Sequence, residues 1–285
     1  MAAHSDHRSR AEEDVRLVHR LTIWRPLSRK TAAQMIEILV WLLPGSALKN
    51  KVLRMFGHEI SPEARIGPVL ALNVGHAVIG SGSTIAALNI FRSLRLLKLG
   101  DGATMGSLNT ISAHPAYQAL HTDVGSLIMG DGAAITSRHN LDCSGIVRIG
   151  DMSAVAGQRT TILTHEIDLT LNVQSAGQVV IGERSAVLTN CLVLKGAVLP
   201  SHSLLIANST LSRSRELNPA AGIYGGSPAE FIRSNPVDSG SWFERTESAT
   251  TRLRIDLPRT AKSNGGVSGI GDAESRRFST SPAER

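Results

Sequence analysis

An aliphatic residue recurs at every sixth position through the middle of the chain, and this period restricts the fold more than any other feature. The longest uninterrupted series is Ile181, Val187, Val193, Leu199, Leu205 and Leu211. A helix repeats every 3.6 residues and a half-buried strand every two, so neither explains a period of six. Short strands joined by turns do, because three of them can close a coil of about eighteen residues with each sixth aliphatic pointing inward.

Shorter series with the same period begin at pairs of an apolar residue with glycine, namely Ile79-Gly80, Leu99-Gly100, Met129-Gly130 and Ile149-Gly150. The Gly-Asp-Gly sequences at 100–102 and 130–132 suit corners that need a positive φ. We therefore predict an all-β fold, a single-stranded parallel β-helix whose coils are capped at both ends. A β-sandwich with a chance period is the alternative, and the unbroken series from 181 to 211 argues against it.

Composition divides the chain into three regions. We predict a helical segment that caps the core at 1–60, the β-helix at 61–233, and a disordered tail at 234–285, where Ser, Arg, Glu and Gly replace large aliphatics. Aromatic residues make up only 4% of the chain. The core must therefore be built from small and branched aliphatics, which suits a narrow coil.

The most apolar stretch, Ala32 to Leu43, is predicted to be an amphipathic helix with Thr31 as its N-cap. It is too short to span a bilayer, so its first predicted role is to cap the first coil. Peripheral membrane contact is kept as a second role because of the flanking cations Arg25, Arg29, Lys30, Lys49, Lys51 and Arg54. We expect a cytoplasmic protein, since the polar start of the chain is not followed by a signal-peptide core and Cys143 and Cys191 have no metal or redox spacing.

The formal net charge of +6 would suit an anionic partner, but much of the basic excess lies in the two ends. Nucleic acid is not an expected partner, because the sequence contains no RRM, KH, zinc-finger or helix-turn-helix pattern. The sequence also has no GxxxxGK[ST], GxGxxG or GxSxG motif. This argues against a P-loop NTPase, a Rossmann enzyme and an α/β-hydrolase.

Three segments resemble the hexapeptide-repeat acyltransferases, and in particular the sugar and polysaccharide O-acetyltransferases such as the maltose, galactoside and colanic-acid enzymes. They are residues 149–155 with 162–166, residues 180–211, and the closing segment 226–233. The resemblance covers roughly Ile66 to Arg233. It implies a left-handed β-helix, a homotrimer, and direct transfer of an acetyl or other short acyl group from acetyl-CoA or a related acyl-CoA. The implied acceptor is a hydroxyl of a sugar or polysaccharide precursor, and no metal is expected.

Transfer to a hydroxyl needs a base, and a neutral histidine is the natural one near pH 7. His165 lies just before a break in the six-residue period at 166–178, which we interpret as a loop extruded from the coils. The resemblance makes His165 the general base, at a position that faces the neighbouring subunit. Glu166 or Asp168 is predicted to orient its imidazole, and the sequence leaves the choice between them open.

The resemblance also implies where the other components bind. Thr189 and Ala207 match positions that line the pantetheine channel, while Arg213 and Arg233 match basic residues of the CoA site. Backbone N–H groups of the coil facing His165 would stabilise the oxyanion. The acceptor site is predicted from polar residues near breaks in the period of the earlier coils: Asn109, His114, Tyr117, His139, Asn140 and Asp142.

Two other functions are weighed against the acyltransferase. One is a non-catalytic β-helix that serves as an assembly or binding module, which thermal stabilisation by CoA would argue against. The other is an enzyme like the γ-class carbonic anhydrases, which share this fold and bind zinc through three histidines. The spacing of His114, His121, His139 and His165 departs from their pattern.

Overall fold

The computed structural model describes residues 32–213, 219–235 and 242–245, and the backbone of these residues winds into a parallel β-helix with three faces. Sheet A consists of β1 (Glu59–Ile60), β4 (His76–Ile79), β7 (Leu96–Leu99), β10 (Ser126–Met129), β13 (Ile146–Ile149), β18 (Gln178–Ile181) and β21 (Val198–Leu199). Sheet B consists of β2 (Arg65–Ile66), β5 (Thr84–Ile85), β8 (Thr104–Met105), β11 (Ala134–Ile135), β14 (Ala154–Val155), β19 (Ala186–Val187), β22 (Leu204–Leu205), β24 (Ile223–Gly226) and β25 (Ala229–Arg233). Sheet C consists of β3 (Leu70–Leu72), β6 (Ile90–Arg92), β9 (Thr110–Ser112), β12 (Asn140–Asp142), β15 (Thr161–Ile162), β20 (Leu192–Val193) and β23 (Thr210–Leu211).

The register of the strands keeps the inward aliphatics in line from coil to coil. In sheet A the aligned residues are Ile79, Leu99, Met129, Ile149, Ile181 and Leu199, and each is 2% exposed or less. Equivalent columns line the other two sheets, and burial of each such side chain contributes about 1.5–3 kcal/mol. This confirms the predicted fold, a left-handed parallel β-helix with one inward residue per hexad.

Two insertions leave the coils where the chain passes from sheet C to sheet A, and we call this edge the C–A corner. The first insertion follows β9 and contains α3 (Pro115–Leu120). The second follows β15 and is an antiparallel hairpin of β16 (His165–Asp168) and β17 (Val173–Ala176). The predicted loop at 166–178 is therefore an extruded hairpin. The two insertions leave the β-helix two coils apart, after β9 and after β15.

Two helices close the N-terminal end of the β-helix, α1 (Ala32–Leu42) and α2 (Ala47–Met55). Trp41 and Leu53 are fully buried against the first coil, so the predicted capping helix is confirmed, while its proposed N-cap Thr31 lies outside the described residues. Lys49 is 1% exposed and its Nζ lies 2.7–3.2 Å from the backbone carbonyl oxygens of residues 41, 43, 66 and 67, which ties α2 to the end of α1 and to β2. Among the described residues, no helix has the length and apolar character needed to cross a membrane.

The C-terminal end is closed by β24 and the antiparallel β25. Beyond it, residues Trp242–Glu244 form one turn of 3-10 helix. Phe243 is 7% exposed, and the buried guanidinium of Arg245 donates to the carbonyl of Met152. Residues 242–245 therefore pack on the body of the protein, which corrects the prediction that the chain is disordered from residue 234. The remainder of that predicted tail, apart from residues 234 and 235, lies outside the described residues.

Candidate active site

The C–A corner brings His165 against a carboxylate from the preceding coil. His165 starts β16, three residues beyond the inward Ile162, and Asp142 ends β12. Since Leu141 and Ile162 are aligned partners in neighbouring strands, the residues that follow them also lie side by side. His165 Nδ1 is 2.8 Å from Asp142 Oδ2. The histidine side chain is 40% exposed and the aspartate side chain 15%, so the imidazole lies at the surface and the carboxylate lies beneath it.

Asp142 is held by donors on both of its oxygens. The backbone N–H and hydroxyl of Ser144 donate to Oδ1, and those of Thr164 donate to Oδ2. Burial alone would raise the pKa of Asp142, but the hydrogen bonds from Ser144, His165 and Thr164 outweigh it and lower the pKa below its usual value. Asp142 is therefore an ionised acceptor at neutral pH, and it takes a hydrogen bond from the Nδ1–H of His165.

This contact sets the tautomer of the histidine. With the proton held on Nδ1, the neutral ring carries its free lone pair on Nε2. Within the part of the chain that the structure describes, Nε2 of His165 has no hydrogen-bond partner. A half-exposed imidazole with a buried carboxylate on one nitrogen and a free lone pair on the other is the arrangement that general-base catalysis requires.

Glu166 and Asp168 do not orient His165, which corrects the prediction for both. Alternate residues of a strand point to opposite faces, so these two carboxylates lie on the other side of β16 from the imidazole. Glu166 pairs with Lys195 at 2.7 Å, and Lys195 also donates to Ser175 Oγ at 2.6 Å. Asp168 accepts the backbone N–H groups of residues 170 and 171 at the tip of the hairpin. Both carboxylates therefore shape the hairpin.

The first insertion reaches the same site. The ring of Tyr117 lies 6.2 Å from that of His165, and its hydroxyl is 3.4 Å from Oε1 of Gln174 in β17. Burial, with a smaller effect of the Asp142 charge, raises the pKa of Tyr117. His114 caps α3 through Nδ1 and packs edge-on against Tyr117 at 6.0 Å. The two insertions thus form one wall beside the His165–Asp142 pair.

Asn109 and His139 are structural, which corrects their prediction as substrate-binding residues. Asn109 is fully buried and His139 is 2% exposed. The Oδ1 of Asn89 accepts the N–H of Asn109, the Oδ1 of Asn109 accepts that of His139, and Nδ1 of His139 accepts that of Thr160. Each of these side chains thus supports the next coil. Burial lowers the pKa of His139 to about 4. Asn140 is exposed on the same face of β12 as Asp142, so it stays a candidate for the acceptor site.

The predicted CoA residues lie on different edges of the molecule. Thr189 and Ala207 are exposed in successive coils at the B–C corner, where the chain passes from sheet B to sheet C, and Asn208 N–H donates to the Thr189 carbonyl. Arg213 is exposed at the C–A corner against Gly196, two coils beyond His165. Arg233 is exposed at the end of β25. Within one chain, the structure therefore brings only Arg213 to the edge that carries His165.

Sequence reasoning missed two contacts of this site. It did not connect Asp142 with His165, although Asp142 follows the inward Leu141 directly and the coil alignment carries that signal. It also missed the contact of Gln174 with Tyr117, for which no sequence pattern exists.

As for metals, the described residues contain no group of three or more His, Cys, Asp or Glu side chains placed to hold an ion.

Comparisons with known proteins add a likeness of fold. No family model matches the sequence, and no curated protein matches it. Two of the solved structures that resemble the chain are acetyltransferases. One, a hexapeptide-repeat-containing acetyltransferase of Vibrio cholerae O1 biovar eltor solved with acetyl coenzyme A, is 17% identical over 48% of this chain and 69% of its own, with a TM-score of 0.36. The other, the polySia-specific acetyltransferase NeuO, is 15% identical over 65% of this chain and 83% of its own, with a TM-score of 0.33.

Proposed function

We propose that this chain is a CoA-dependent O-acyltransferase that moves an acetyl or other short acyl group from acyl-CoA to a hydroxyl of a sugar or polysaccharide precursor. The observation that carries the proposal is the 2.8 Å contact between His165 Nδ1 and Asp142 Oδ2, which leaves Nε2 as a base at an open corner. The resemblance of 149–155, 180–211 and 226–233 to acyltransferase motifs supports the choice of reaction.

In this mechanism the acceptor hydroxyl gives its proton to Nε2 of His165 as its oxygen bonds to the acyl carbon. The acyl-CoA supplies the activated thioester. As the carbon–sulfur bond breaks, the proton passes from Nε2 to the departing sulfur, and the base is restored. The ionised Asp142 stabilises the imidazolium that exists between these two transfers, because it is already hydrogen-bonded to Nδ1.

The side chains around His165 support proposed roles for the other groups. Tyr117, Asn140 and Gln174 are the polar side chains beside His165 and Asp142 that we propose for the acceptor. Arg213 and Arg233 are exposed guanidinium groups that would bind the phosphates of CoA. Thr189 and Ala207 lie across sheet C from His165. We therefore propose a homotrimer in which the B–C corner of one subunit meets the C–A corner of the next.

The first test is release of free CoA by the full-length protein with acetyl-CoA and a panel of sugars. We expect release with at least one sugar and a higher melting temperature in the presence of CoA. His165→Ala should lower the rate by about a hundred- to ten-thousand-fold while CoA still stabilises the protein.

His76→Ala is the matched control, because His76 is 37% exposed and pairs with the Glu59 carboxylate at 3.1 Å on the outer face of sheet A. It should retain the wild-type rate. Full activity in His165→Ala would refute the base. A protein that neither releases CoA nor is stabilised by it would instead be a non-catalytic module.

A further inference from the structure

The helices that cap the β-helix expose an unusual amount of apolar surface. Seven large apolar side chains on α1, α2 and the turn between them are 43–79% exposed. We call this set the N-terminal apolar patch, and it consists of Met35, Ile36, Leu39, Leu42, Leu43, Leu48 and Met55. The opposite side of the two helices supplies the buried Trp41 and Leu53, so capping the core does not require the exposed residues. Exposed apolar surface on this scale marks an interaction site.

The fully exposed charges on α1 and α2 are positive, whereas the nearest exposed acidic residues, Glu59 and Glu63, lie on the first coil. Lys51 and Arg54 are exposed on α2, and Glu37 is the only acidic residue between positions 15 and 58. The carboxylate of Glu37 is 23% exposed and lies 3.1 Å from Nε2 of His58, so it is turned toward the cap. The sequence immediately before α1 adds five cations and no acid: Arg16, Arg20, Arg25, Arg29 and Lys30.

This charge pattern decides between the surfaces that could cover the patch. A second copy packed patch against patch would bring two sets of the same cations, Lys51 and Arg54, into one interface. The preceding segment 15–31 would likewise bring its five positive charges beside them. A bilayer with anionic headgroups offers both apolar depth for the leucines and opposite charge for the lysine and arginine side chains.

We propose that the N-terminal apolar patch lies on an anionic membrane surface, with its leucine and methionine side chains inserted among the headgroups and Lys51 at the phosphate level. The contact is peripheral, since α1 has 11 residues and α2 has 9. It uses the end of the β-helix that precedes the first coil. The base at the C–A corner lies four coils away, roughly 20 Å along the axis, so the proposal is independent of the proposed function.

The test is co-sedimentation of the full-length protein with sucrose-loaded vesicles. We expect binding to vesicles of phosphatidylcholine with phosphatidylglycerol, weak binding to phosphatidylcholine alone, and a loss of binding as salt is raised. Leu39→Glu with Leu48→Glu should weaken binding to the anionic vesicles at least tenfold. Both residues are exposed, at 60% and 69%, so the folded state should survive, which circular dichroism would check.

Two further variants keep the result interpretable. Lys51→Glu removes a cation without touching the apolar residues and should weaken binding to anionic vesicles only. Leu169→Glu changes a still more exposed leucine, 88% exposed at the tip of the β16–β17 hairpin, and should bind like the wild type. The proposal is overturned if the wild type binds neither kind of vesicle, if it binds both equally, or if Leu39→Glu with Leu48→Glu binds as the wild type does. A fall in molecular mass on these substitutions, without vesicle binding by the wild type, would show that a second copy covers the patch.

Discussion

The hydrogen bond that Asp142 accepts from Nδ1–H of His165 decides which nitrogen would act as the proposed base. An isolated neutral imidazole exchanges its proton between two nitrogens, but an ionised acceptor at 2.8 Å from Nδ1 favours the tautomer with the lone pair on Nε2. Asp142 keeps its charge because Ser144 and Thr164 donate to it, and these contacts come from its own coil and the next one. The position and charge of Asp142 are therefore set by the regular coils and not by the hairpin that contains His165.

Asp142→Asn tests this role. An asparagine in this place can donate to Nδ1, which would move the ring proton to Nε2 and leave no base there. We expect a rate loss of about a hundred- to ten-thousand-fold in acyl transfer. The melting temperature should also fall, because the amide group in place of Oδ2 cannot accept the N–H of Thr164. Glu166→Gln, which removes the charge that pairs with Lys195, should keep most of the activity. If Glu166→Gln lost more activity than Asp142→Asn, Glu166 would be the residue that orients His165.

His139 gives a second prediction at the residue scale, on stability and pH. Its folded-state pKa of about 4 lies below the ordinary value of 6.5, so the unfolded chain takes up a proton first as the pH falls. The favourable contribution is complete above pH 6.5 and is lost as the pH falls toward 4. Between pH 7.5 and 4.5 this loss amounts to about 2–3 kcal/mol.

His139→Asn is the matched variant, because Asn89 and Asn109 fill the equivalent positions of the two preceding coils. Its amide oxygen can still accept the N–H of Thr160. We expect urea unfolding at pH 7.5 to give a stability close to that of the wild type. At pH 4.5 the variant should be the more stable protein. An equal loss of stability in both proteins would show that His139 is not the group that titrates.

At the scale of elements, the sequence predicted the coils well and the insertions only in part. The series from Ile181 to Leu211 predicts the strands, their register and their inward faces together. Each sixth residue must point into the coil to be buried, and burial of successive members of the series aligns the strands of neighbouring coils. The break at 166–178 predicted an extruded loop, but composition does not encode the pairing of its two arms or its contact with Tyr117. The sequence predicts an orienting carboxylate next to His165, at Glu166 or Asp168, whereas the carboxylate in contact is Asp142, which is distant in sequence and adjacent in the coil stack.

The 3-10 turn at Trp242–Glu244 gives a prediction about the C-terminal segment. Ending the chain after Asn235 removes the buried Phe243 and Arg245, while ending it after residue 252 keeps them. Loss of one buried phenylalanine corresponds to about 1.5–3 kcal/mol, which in a domain of this size lowers the melting temperature by roughly 3–12 °C. Calorimetry of the two truncated proteins would measure this. If both melt together, the packing of residues 242–245 contributes nothing to stability.

At the scale of the whole molecule, the proposed site is divided between two corners of the β-helix. His165, Asp142 and Arg213 are at the C–A corner, while Thr189 and Ala207 are at the B–C corner on the other side of sheet C. Neighbouring coils repeat every 4.7–4.9 Å along the axis, and a three-sided stack presents flat outer faces for contact with further copies. A threefold assembly would put one corner of each kind together at every interface, and acyl-CoA would then lie in the groove between subunits.

A structure of the protein crystallised with CoA tests the central claim most directly. We predict a trimer with CoA between two subunits, its sulfur about 3–4 Å from Nε2 of His165. Thr189 and Ala207 of the neighbouring subunit should contact the pantetheine arm, and Arg213 or Arg233 should contact the phosphates. Well-ordered CoA whose sulfur lies far from every His165 would contradict the account, as would a complex in which the C–A corner is covered by another part of the chain.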